Sequence, residues 1–288
     1  VLSLGCGTGH LERSLHRLGA FRHCDAYDVA EGSIAIANRE AEKAGIDRID
    51  YHVADINHIT LPANHYDSVW IFAALHHIEN LEGVCQQISQ SLKPNGLLVL
   101  QEYIGPSRFQ FSARQKELAN LCLALLPARY RARLPESVEA EMGRSLTKQG
   151  LGWLITRLID KVRDGDLIGV LKRRYGAYRA QKHGLPVGKT EVVFPFPSDV
   201  IAGDPSEAVR SGEIMGILVR DFNILEKKDW GGNVLQFLLA GIAGNFKVED
   251  PCSQALLKML LDIEDTLLSC GELESDFAYM VASSKRRS

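Results

Sequence analysis

Three glycines and an aspartate stand where they could hold a small polar ligand. Gly5, Gly7 and Gly9 alternate between an apolar run that predicts a buried strand and a run that predicts a helix. Residues without a Cβ let main-chain N–H groups and a helix N-terminus approach a ligand's polar end. Asp28 ends a second predicted strand, where a carboxylate can accept both hydroxyls of a ribose. This pattern predicts a nucleoside site, with a purely geometric glycine turn and an ordinary surface aspartate as the alternatives.

A second group of reactive side chains follows later strands. His76 and His77 come directly after the apolar run 66–72, and Glu102 follows the apolar run 97–101. Two imidazoles at the end of a strand predict contact with an acceptor or removal of its proton, and the spacing does not choose between them. A packed or capping histidine is the alternative. Glu102 is a third candidate base.

The segment that leaves the fifth predicted strand mixes a phenol, a guanidinium and an amide. Tyr103, Arg108 and Gln110 are therefore candidates for binding the acceptor. A polar strand exit whose Gly-Pro pair only turns the chain explains the same composition equally well.

The spacing of the glycines narrows the choice of ligand. A dinucleotide-binding fingerprint needs its third glycine where this chain has His10. The observed Gly-x-Gly-x-Gly instead resembles the first motif of the class I S-adenosylmethionine-dependent methyltransferases. The run into Leu75-His76-His77, and Lys-Pro-Asn-Gly at 93–96, resemble the small-molecule branch related to the ubiquinone-biosynthesis enzymes. The resemblance covers the first third of the chain.

One residue departs from the family pattern. Ser3 stands where the family usually has an acidic residue, which helps to orient the amino-acid end of the cofactor. That contact would have to pass to water or to a backbone carbonyl.

The resemblance implies S-adenosylmethionine as the cofactor and assigns roles around it. Asp55 would accept a hydrogen bond from the adenine amino group, or would cap the turn that follows it. Val29 would pack on the purine and Ile56 would line it. The complete set of candidate cofactor-binding residues is Gly5, Cys6, Gly7, Gly9, Asp28, Val29, Asp55, Ile56 and Phe72.

The expected reaction is transfer of a methyl group to a small-molecule, lipid-linked or glycan acceptor, with oxygen as the accepting atom and with no metal ion. A non-catalytic S-adenosylmethionine-binding domain is the main alternative. A nicotinamide-dependent oxidoreductase is disfavoured by the glycine spacing.

Alternating strands and helices must position these residues. Five strand-helix units within residues 1–101 predict an α/β fold with a doubly wound, mostly parallel sheet, which is Rossmann-like. Strand-like runs at 222–226 and 277–282 would complete seven strands. Helices are also predicted from Asp204 onward and over 233–243 and 253–268.

These elements suggest three parts. Residues 1–106 would form the cofactor-binding core, with its upstream residues missing because the sequence begins inside a strand. Residues 107–215 would form a helical insertion after strand five that caps the acceptor, and residues 216–288 would complete the sheet. The basic, apolar run 151–182 predicts core packing of that insertion, or contact with a membrane surface or a phosphorylated acceptor.

Composition sets further bounds. Six cysteines without a C-x-x-C pair favour reduced thiols, a cytoplasmic protein and no zinc site. No apolar run is long enough to span a membrane, so any membrane contact would be peripheral. Residues 107–189 carry 17 basic and 7 acidic side chains within a chain of net charge −3, which would suit an anionic acceptor. Nothing resembles a nucleic-acid-binding module, and the sequence does not indicate the oligomeric state.

Overall fold

A seven-stranded sheet organises the chain. The computed structural model describes residues 1–133, 167–183 and 187–285. The strand order is β3-β2-β1-β4-β5-β7-β6. The strands are β1 (Leu2–Leu4), β2 (Cys24–Asp28), β3 (Ile49–Val53), β4 (Tyr66–Phe72), β5 (Leu92–Tyr103), β6 (Phe222–Asp229) and β7 (Phe277–Ser284). The first five are parallel, and β7 runs antiparallel to both β5 and β6. The predicted fold class is confirmed.

Nine α-helices lie within the described residues. They are α1 (His10–Arg17), α2 (Glu31–Lys43), α3 (Leu81–Ser91), α4 (Ala113–Leu125), α5 (Leu167–Lys182), α6 (Pro197–Gly203), α7 (Ile214–Asp221), α8 (Leu235–Leu238) and α9 (Pro251–Ser269). A short 3₁₀ helix, Leu75–His77, carries the two neighbouring histidines.

The sheet core follows from the apolar runs of the sequence. Leu2 and Leu4 on β1 pack with Val69 and Ile71 on β4 in one buried cluster. α3 adds its own buried face to this cluster and begins at Asn80, whose side chain accepts a hydrogen bond from the Gly83 N–H. Each such buried aliphatic side chain stabilises the fold by about 1.5–3 kcal/mol relative to an exposed one.

The order of the strands defines where a ligand can bind. From β1 the chain moves outward to β2 and β3, and it then returns to the other side of β1 for β4 and β5. Helices that leave β1 and β4 therefore diverge, which opens a crevice beyond the carboxyl ends of these strands. The glycine turn and the two histidines follow β1 and β4, at that end of the sheet.

The chain divides into two compact units. The first comprises Val1–Arg108, Asp204–Trp230 and Ser275–Ser288, and the second comprises Phe109–Gly203 and Gly231–Glu274. This division differs from the three predicted parts, because the predicted segment 216–288 is shared between the units. Strands β6 and β7 lie in the first unit, whereas the helices that connect them lie in the second.

The second unit has its own core of aromatic and aliphatic side chains. Phe111 packs against Phe194 and Phe237, with ring centroids 5.4 and 4.8 Å away. Buried Lys189 donates to three main-chain carbonyls, those of Phe237, Leu238 and Ala240, at 2.7–2.9 Å. Half of the predicted helical run 151–182, residues 151–166, lies outside the described residues, and four large side chains of α5 are exposed: Ile168, Leu171, Tyr175 and Tyr178. Among the described helices, none is long and apolar enough to cross a membrane.

Two helix predictions need correction: the helix at Asp204 is absent, and the helix over 233–243 is shorter than predicted. No helix begins at Asp204: its side chain accepts from the Ser206 N–H at 2.8 Å, and Ala208 has a left-handed φ of +49°. These interactions make turns, so the chain becomes α-helical only at Ile214. The helix predicted over 233–243 is restricted to α8, because Gly241 also takes a positive φ.

Candidate functional site

In the turn after β1, two of the three glycines lie too close to neighbouring side chains to carry a side chain of their own. A Cβ on Gly5 would lie 2.2 Å from the Cβ of Ala74, and one on Gly9 would lie 2.4 Å from the Tyr51 hydroxyl. Gly7 differs, since its φ is +53° but no atom lies within 4 Å of a built Cβ. Packing therefore requires the two outer glycines, while the backbone at Gly7 borders open space.

Asp28 connects this turn to the end of β2. Its Oδ2 accepts a hydrogen bond from the Gly7 N–H at 2.8 Å, and its Oδ1 accepts one from the Ala30 N–H at 2.9 Å. The Asp28 side chain is partly exposed, and neighbouring Val29 is 66% exposed. The structure thus brings Gly7, Asp28 and Val29 together at one end of the sheet.

Asp55 lies beside this group, at the end of β3. The Ala54 N–H donates to the Asp28 carbonyl at 3.0 Å, which ties the two strand ends together. Asp55 is exposed and its Oδ1 accepts from the Asn57 N–H at 2.9 Å, so it caps the turn as the alternative interpretation expected. Ile56 is buried in the core, and Phe72 is half-buried at the end of β4. Cys6 is also half-buried, and burial raises the pKa of its thiol.

A buried glutamate that the motif did not reveal lies under the turn. The Ser3 hydroxyl donates to Glu12 Oε1 at 2.6 Å, and Glu12 has no exposed surface. Among the described residues, Glu12 Oε2 has no hydrogen-bond partner. Burial raises the pKa of Glu12, while the hydrogen bond from Ser3 lowers it by less. Glu12 therefore brings a carboxylate to Ser3, the position at which the resembled family usually has an acid.

Glu102 holds the turn that carries the histidines. Its Oε2 accepts from the Ala74 and Leu75 N–H groups at 3.0 and 2.6 Å, and its Oε1 contacts His76 Nδ1. Oε1 also accepts from the Tyr103 N–H at 2.8 Å. Glu102 is fully buried, so its position fits orientation of His76 better than contact with an acceptor.

Glu207 reaches the two histidines from the segment before α7. Its Oε1 lies 3.4 Å from His76 Nε2, and its Oε2 lies 3.8 Å from His77 Nε2. Burial acts to lower the pKa of His76, but the hydrogen bond to Glu102 and the charges of Glu102, Glu207 and Asp204 raise it overall. The His77 and Glu207 side chains are about one-third exposed, at 32% and 31%. Sequence spacing gave no signal for Glu207, which is separated from His77 by 130 positions.

The three candidate acceptor-binding residues have different surroundings. Tyr103 is buried, and its hydroxyl donates to the Pro106 carbonyl at 3.0 Å. Arg108 belongs to the first unit, where its Nη1 donates to the Glu207 carbonyl at 2.9 Å. Gln110 is exposed and belongs to the second unit. The structure brings two of the three to the histidine group: Arg108 through Glu207, and Tyr103 through an edge-on ring contact with His76, with the ring centroids 6.2 Å apart.

Comparison with known proteins identifies the first part of the chain. Residues 2–100 match the family model described as a methyltransferase domain. The chain is 35% identical over 98 residues to a ubiquinone biosynthesis O-methyltransferase of Methylocella silvestris, a match covering 34% of this chain and 37% of that protein. It is 32% identical over 110 residues to a malonyl-[acyl-carrier protein] O-methyltransferase of Bacillus cereus, covering 38% and 39%. The chain thus matches less than two-fifths of the length of these two relatives.

A solved S-adenosylmethionine-dependent methyltransferase from Mesorhizobium loti aligns over 98% of this chain and 89% of its own, with 15% identity and a TM-score of 0.47. Over the first third of the chain, the matched domain and the strand order resemble those of the class I S-adenosylmethionine-dependent methyltransferases. Within that class, this part of the chain resembles the enzymes of ubiquinone biosynthesis.

S-adenosylmethionine is the cofactor of this class, and the residues present fit it. The open backbone at Gly7 leaves room for a ligand where a side chain would intrude. The half-exposed Asp28 carboxylate suits a ribose, and the orphaned Oε2 of Glu12 lies beneath the same turn.

Proposed function

We propose that this protein transfers the methyl group of S-adenosylmethionine to an oxygen atom of a small-molecule acceptor. The observation that carries the proposal is the hydrogen bond from the Gly7 N–H to Asp28, which joins the ends of β1 and β2 beside the point between β1 and β4 where the strand order reverses. It joins a side-chain-free turn and a carboxylate at the place where open α/β sheets bind nucleotides.

The cofactor would lie over the ends of β1, β2 and β3. Asp28 would accept the ribose hydroxyls, because a carboxylate can accept two hydrogen bonds at once. Val29 offers an exposed apolar surface for the purine. Asp55 keeps its expected role toward the adenine amino group as part of this proposal, while buried Ile56 would support the turn from below.

The acceptor would bind near the end of β4. When bound, S-adenosylmethionine supplies a methyl group on a positively charged sulfur. The residues of the chain must then align the acceptor oxygen and take up its proton. We assign the proton to the partly exposed His77 and Glu207 pair, and we assign the buried His76 and Glu102 to positioning.

The names of several relatives and the charge distribution support the proposed chemistry of the acceptor. The relatives include enzymes named as O-methyltransferases of ubiquinone biosynthesis and of a malonyl-[acyl-carrier protein], and one named as a 27-O-demethylrifamycin SV methyltransferase. These three names specify an oxygen acceptor, whereas a relative from Gibberella zeae, 32% identical over 106 residues, is named a sterol 24-C-methyltransferase, so carbon is the competing accepting atom. The basic excess of residues 107–189 supports an anionic acceptor, which includes the lipid-linked and glycan acceptors that the sequence suggested.

Release of S-adenosylhomocysteine tests this proposal. The full chain would be incubated with S-adenosylmethionine and a panel of phenolic, carboxylic and sugar hydroxyl acceptors. We expect turnover with at least one of them and a loss of about 10²–10⁴-fold in His77→Ala. His65→Ala is the matched control, because His65 is exposed and precedes β4 at the opposite end of the strand.

The outcomes separate the candidate functions. Binding of S-adenosylmethionine without turnover across the whole panel would favour a non-catalytic binding domain. Turnover that is unchanged in His77→Ala would remove His77 from the mechanism. Binding of NAD in place of S-adenosylmethionine would overturn the proposal.

A further inference from the structure

Three donor groups in the first unit converge on one point. The Nε2 atoms of His76 and His77 lie 3.4 and 3.8 Å from the two carboxylate oxygens of Glu207. One ligand atom from each of the three residues lies within 4.8 Å of the other two. Two imidazoles and one carboxylate form a donor set that binds zinc and other divalent transition metals in proteins.

The spacing of the donors fits a metal ion. Zinc binds imidazole nitrogen and carboxylate oxygen at about 2.0–2.2 Å, so donors in a tetrahedral site lie about 3.4 Å apart. The measured separations of 3.4 and 3.8 Å are close to that value. A hydrogen-bonded ion pair would bring the same atoms about 0.5–1 Å closer.

Contacts at the Nδ1 atom of each imidazole, on the side away from Glu207, fix the orientation of both rings. His76 Nδ1 contacts the Glu102 carboxylate, which holds the proton on Nδ1 and leaves the lone pair on Nε2. His77 Nδ1 lies 2.9 Å from the Ser206 hydroxyl, which itself donates to Asp204 at 2.6 Å. His77 Nδ1 must therefore donate to Ser206, and its Nε2 lone pair also faces Glu207. Such outer carboxylate and hydroxyl partners are typical of metal-binding histidines.

The negative charge of the carboxylates around the two imidazoles also favours a bound cation. The carboxylates of Glu102, Asp204 and Glu207 all face the two imidazoles. The nearby guanidinium of Arg108 binds the main-chain carbonyl of Glu207. A divalent ion at the Nε2 atoms would balance the excess negative charge and would replace the weak contacts to Glu207 with coordinate bonds.

A second group of donors in the described residues makes a useful comparison. His23 Nε2 lies 3.3 Å from Asp25 and 3.2 Å from Asp50, but the His23 and Asp50 side chains are more than half exposed. Asp25 also accepts the Tyr66 hydroxyl at 2.8 Å. This surface group has one imidazole, and its buried outer partner, Tyr66, contacts a carboxylate and not the imidazole.

We propose that His76, His77 and Glu207 bind a divalent transition-metal ion, with zinc as the ion that best matches the donors. Three protein ligands leave at least one coordination position open for water or for an oxygen of the acceptor. Metal binding goes beyond the proposed methyl transfer and does not require it. A bound ion would occupy the Nε2 lone pair of His77, so the metal-bound state and the proton uptake assigned to His77 and Glu207 are alternative states of this group. It also opposes the sequence-based expectation of a metal-independent enzyme without a zinc site.

Metal content of the full chain tests this site directly. The chelator-treated protein, kept reduced, would be titrated separately with Zn²⁺, Mn²⁺ and Mg²⁺, and bound metal would be measured by mass spectrometry after dialysis. We expect one tightly bound Zn²⁺ and much weaker Mg²⁺ binding, because magnesium prefers oxygen ligands. Glu207→Gln and His77→Ala should each weaken zinc binding by about 100-fold or more, and Ser206→Ala by about 10–100-fold.

Two controls make the result decisive. His23→Ala removes the surface donor group and should leave the tight site intact. A Co²⁺-loaded sample should show ligand-field bands without a thiolate charge-transfer band, which excludes the exposed Cys252 and Cys270 as ligands. Thermal unfolding without metal would establish that each variant is folded.

No stoichiometric zinc binding would overturn the proposal. So would binding that is unchanged in Glu207→Gln and His77→Ala, or binding that is lost in His23→Ala. Each of these results can be obtained whether or not the protein transfers a methyl group.

Discussion

Glu12 is a fully buried carboxylate whose protonation affects folding. Burial raises the pKa of Glu12 in the folded chain above its ordinary value, and the Ser3 hydrogen bond offsets this only in part. Between the ordinary and the raised pKa, the folded state keeps a proton that the unfolded state has lost. The contribution of Glu12 to stability is therefore complete below its ordinary pKa and is lost as pH rises through the raised pKa.

Glu12→Gln should remove this pH dependence. We expect the free energy of unfolding of the ligand-free variant to fall less than that of the natural protein between pH 5 and pH 8. Urea unfolding at a series of pH values measures it, with exposed Glu42→Gln as the control. An identical pH slope in Glu12→Gln and the natural protein would contradict the assignment.

Alanine substitutions at Gly7 and Gly19 distinguish an effect on stability from an effect on cofactor binding. Both have a positive φ, +53° and +68°, and a Cβ on either would meet no atom within 4 Å. Alanine at each position should therefore cost a similar amount, about 1–2 kcal/mol, in urea unfolding. Calorimetry should show weaker S-adenosylmethionine binding in Gly7→Ala alone, since Gly19 ends α1 away from the turn. Equal affinities in the two variants would argue against a cofactor over Gly7.

At the scale of elements, the turn after β4 is a strained connection. Ala73 has a φ of +51°, which directs the chain from the end of β4 into the 3₁₀ helix Leu75–His77. Arg108 and Ala208 also have a positive φ. Arg108 donates to the main-chain carbonyl of Glu207, and Ala208 directly follows Glu207 in the chain. Strained residues of this kind often cluster at functional sites.

Ala73→Gly should stabilise the protein by about 0.5–1 kcal/mol, because glycine accepts a positive φ without a steric penalty. The same substitution at exposed Ala35, inside α2, should destabilise it by about 1 kcal/mol. Urea unfolding of both variants measures the two effects. A loss of stability in Ala73→Gly as large as that in Ala35→Gly would contradict the strain assigned to this turn.

The same elements mark what the sequence could predict. β4 was predicted at its observed bounds because residues 69–72 are contiguous apolar residues and the turn residues Pro62 and Asn64 precede the strand. Glu207 and Ser206 could not be found in this way, since they reach His76 and His77 through tertiary contacts that leave no periodic pattern. Asp204 predicted the start of a helix, but its carboxylate caps a turn. An aspartate that accepts from an N–H two residues later occurs both at helix starts and in turns, so the sequence alone does not distinguish them.

At the scale of the whole molecule, the parallel sheet and its strand order followed from alternating strands and helices. The division into two units could not be predicted in this way. The sequence placed residues 231–274 in the part that completes the sheet, whereas in the structure they belong to the second unit. Their helices pack with α4 in a separate aromatic core. Which of several apolar faces a helix meets depends on side-chain fit, and a linear pattern does not contain that information.

Lys189 is a specific test of the second unit. Burial lowers the pKa of Lys189 to about 8, with a smaller contribution from Arg133, yet its three carbonyl acceptors satisfy the ammonium group. Lys189→Met would leave those carbonyls without their donor and should cost about 2–4 kcal/mol in urea unfolding at pH 7. Exposed Lys258→Met should change stability by less than about 1 kcal/mol. Equal effects would mean that the buried ammonium contributes little.

The most direct test of the account is calorimetric titration of the full chain with S-adenosylmethionine and, separately, with NAD. We predict binding of one S-adenosylmethionine, no binding of NAD, and at least about tenfold weaker binding of S-adenosylmethionine by Asp28→Ala, which removes the carboxylate beside Gly7. Asp47→Ala, at a side chain that is 86% exposed, should bind like the natural protein. Binding of NAD, or S-adenosylmethionine affinity that is unchanged in Asp28→Ala, would contradict the proposed cofactor site.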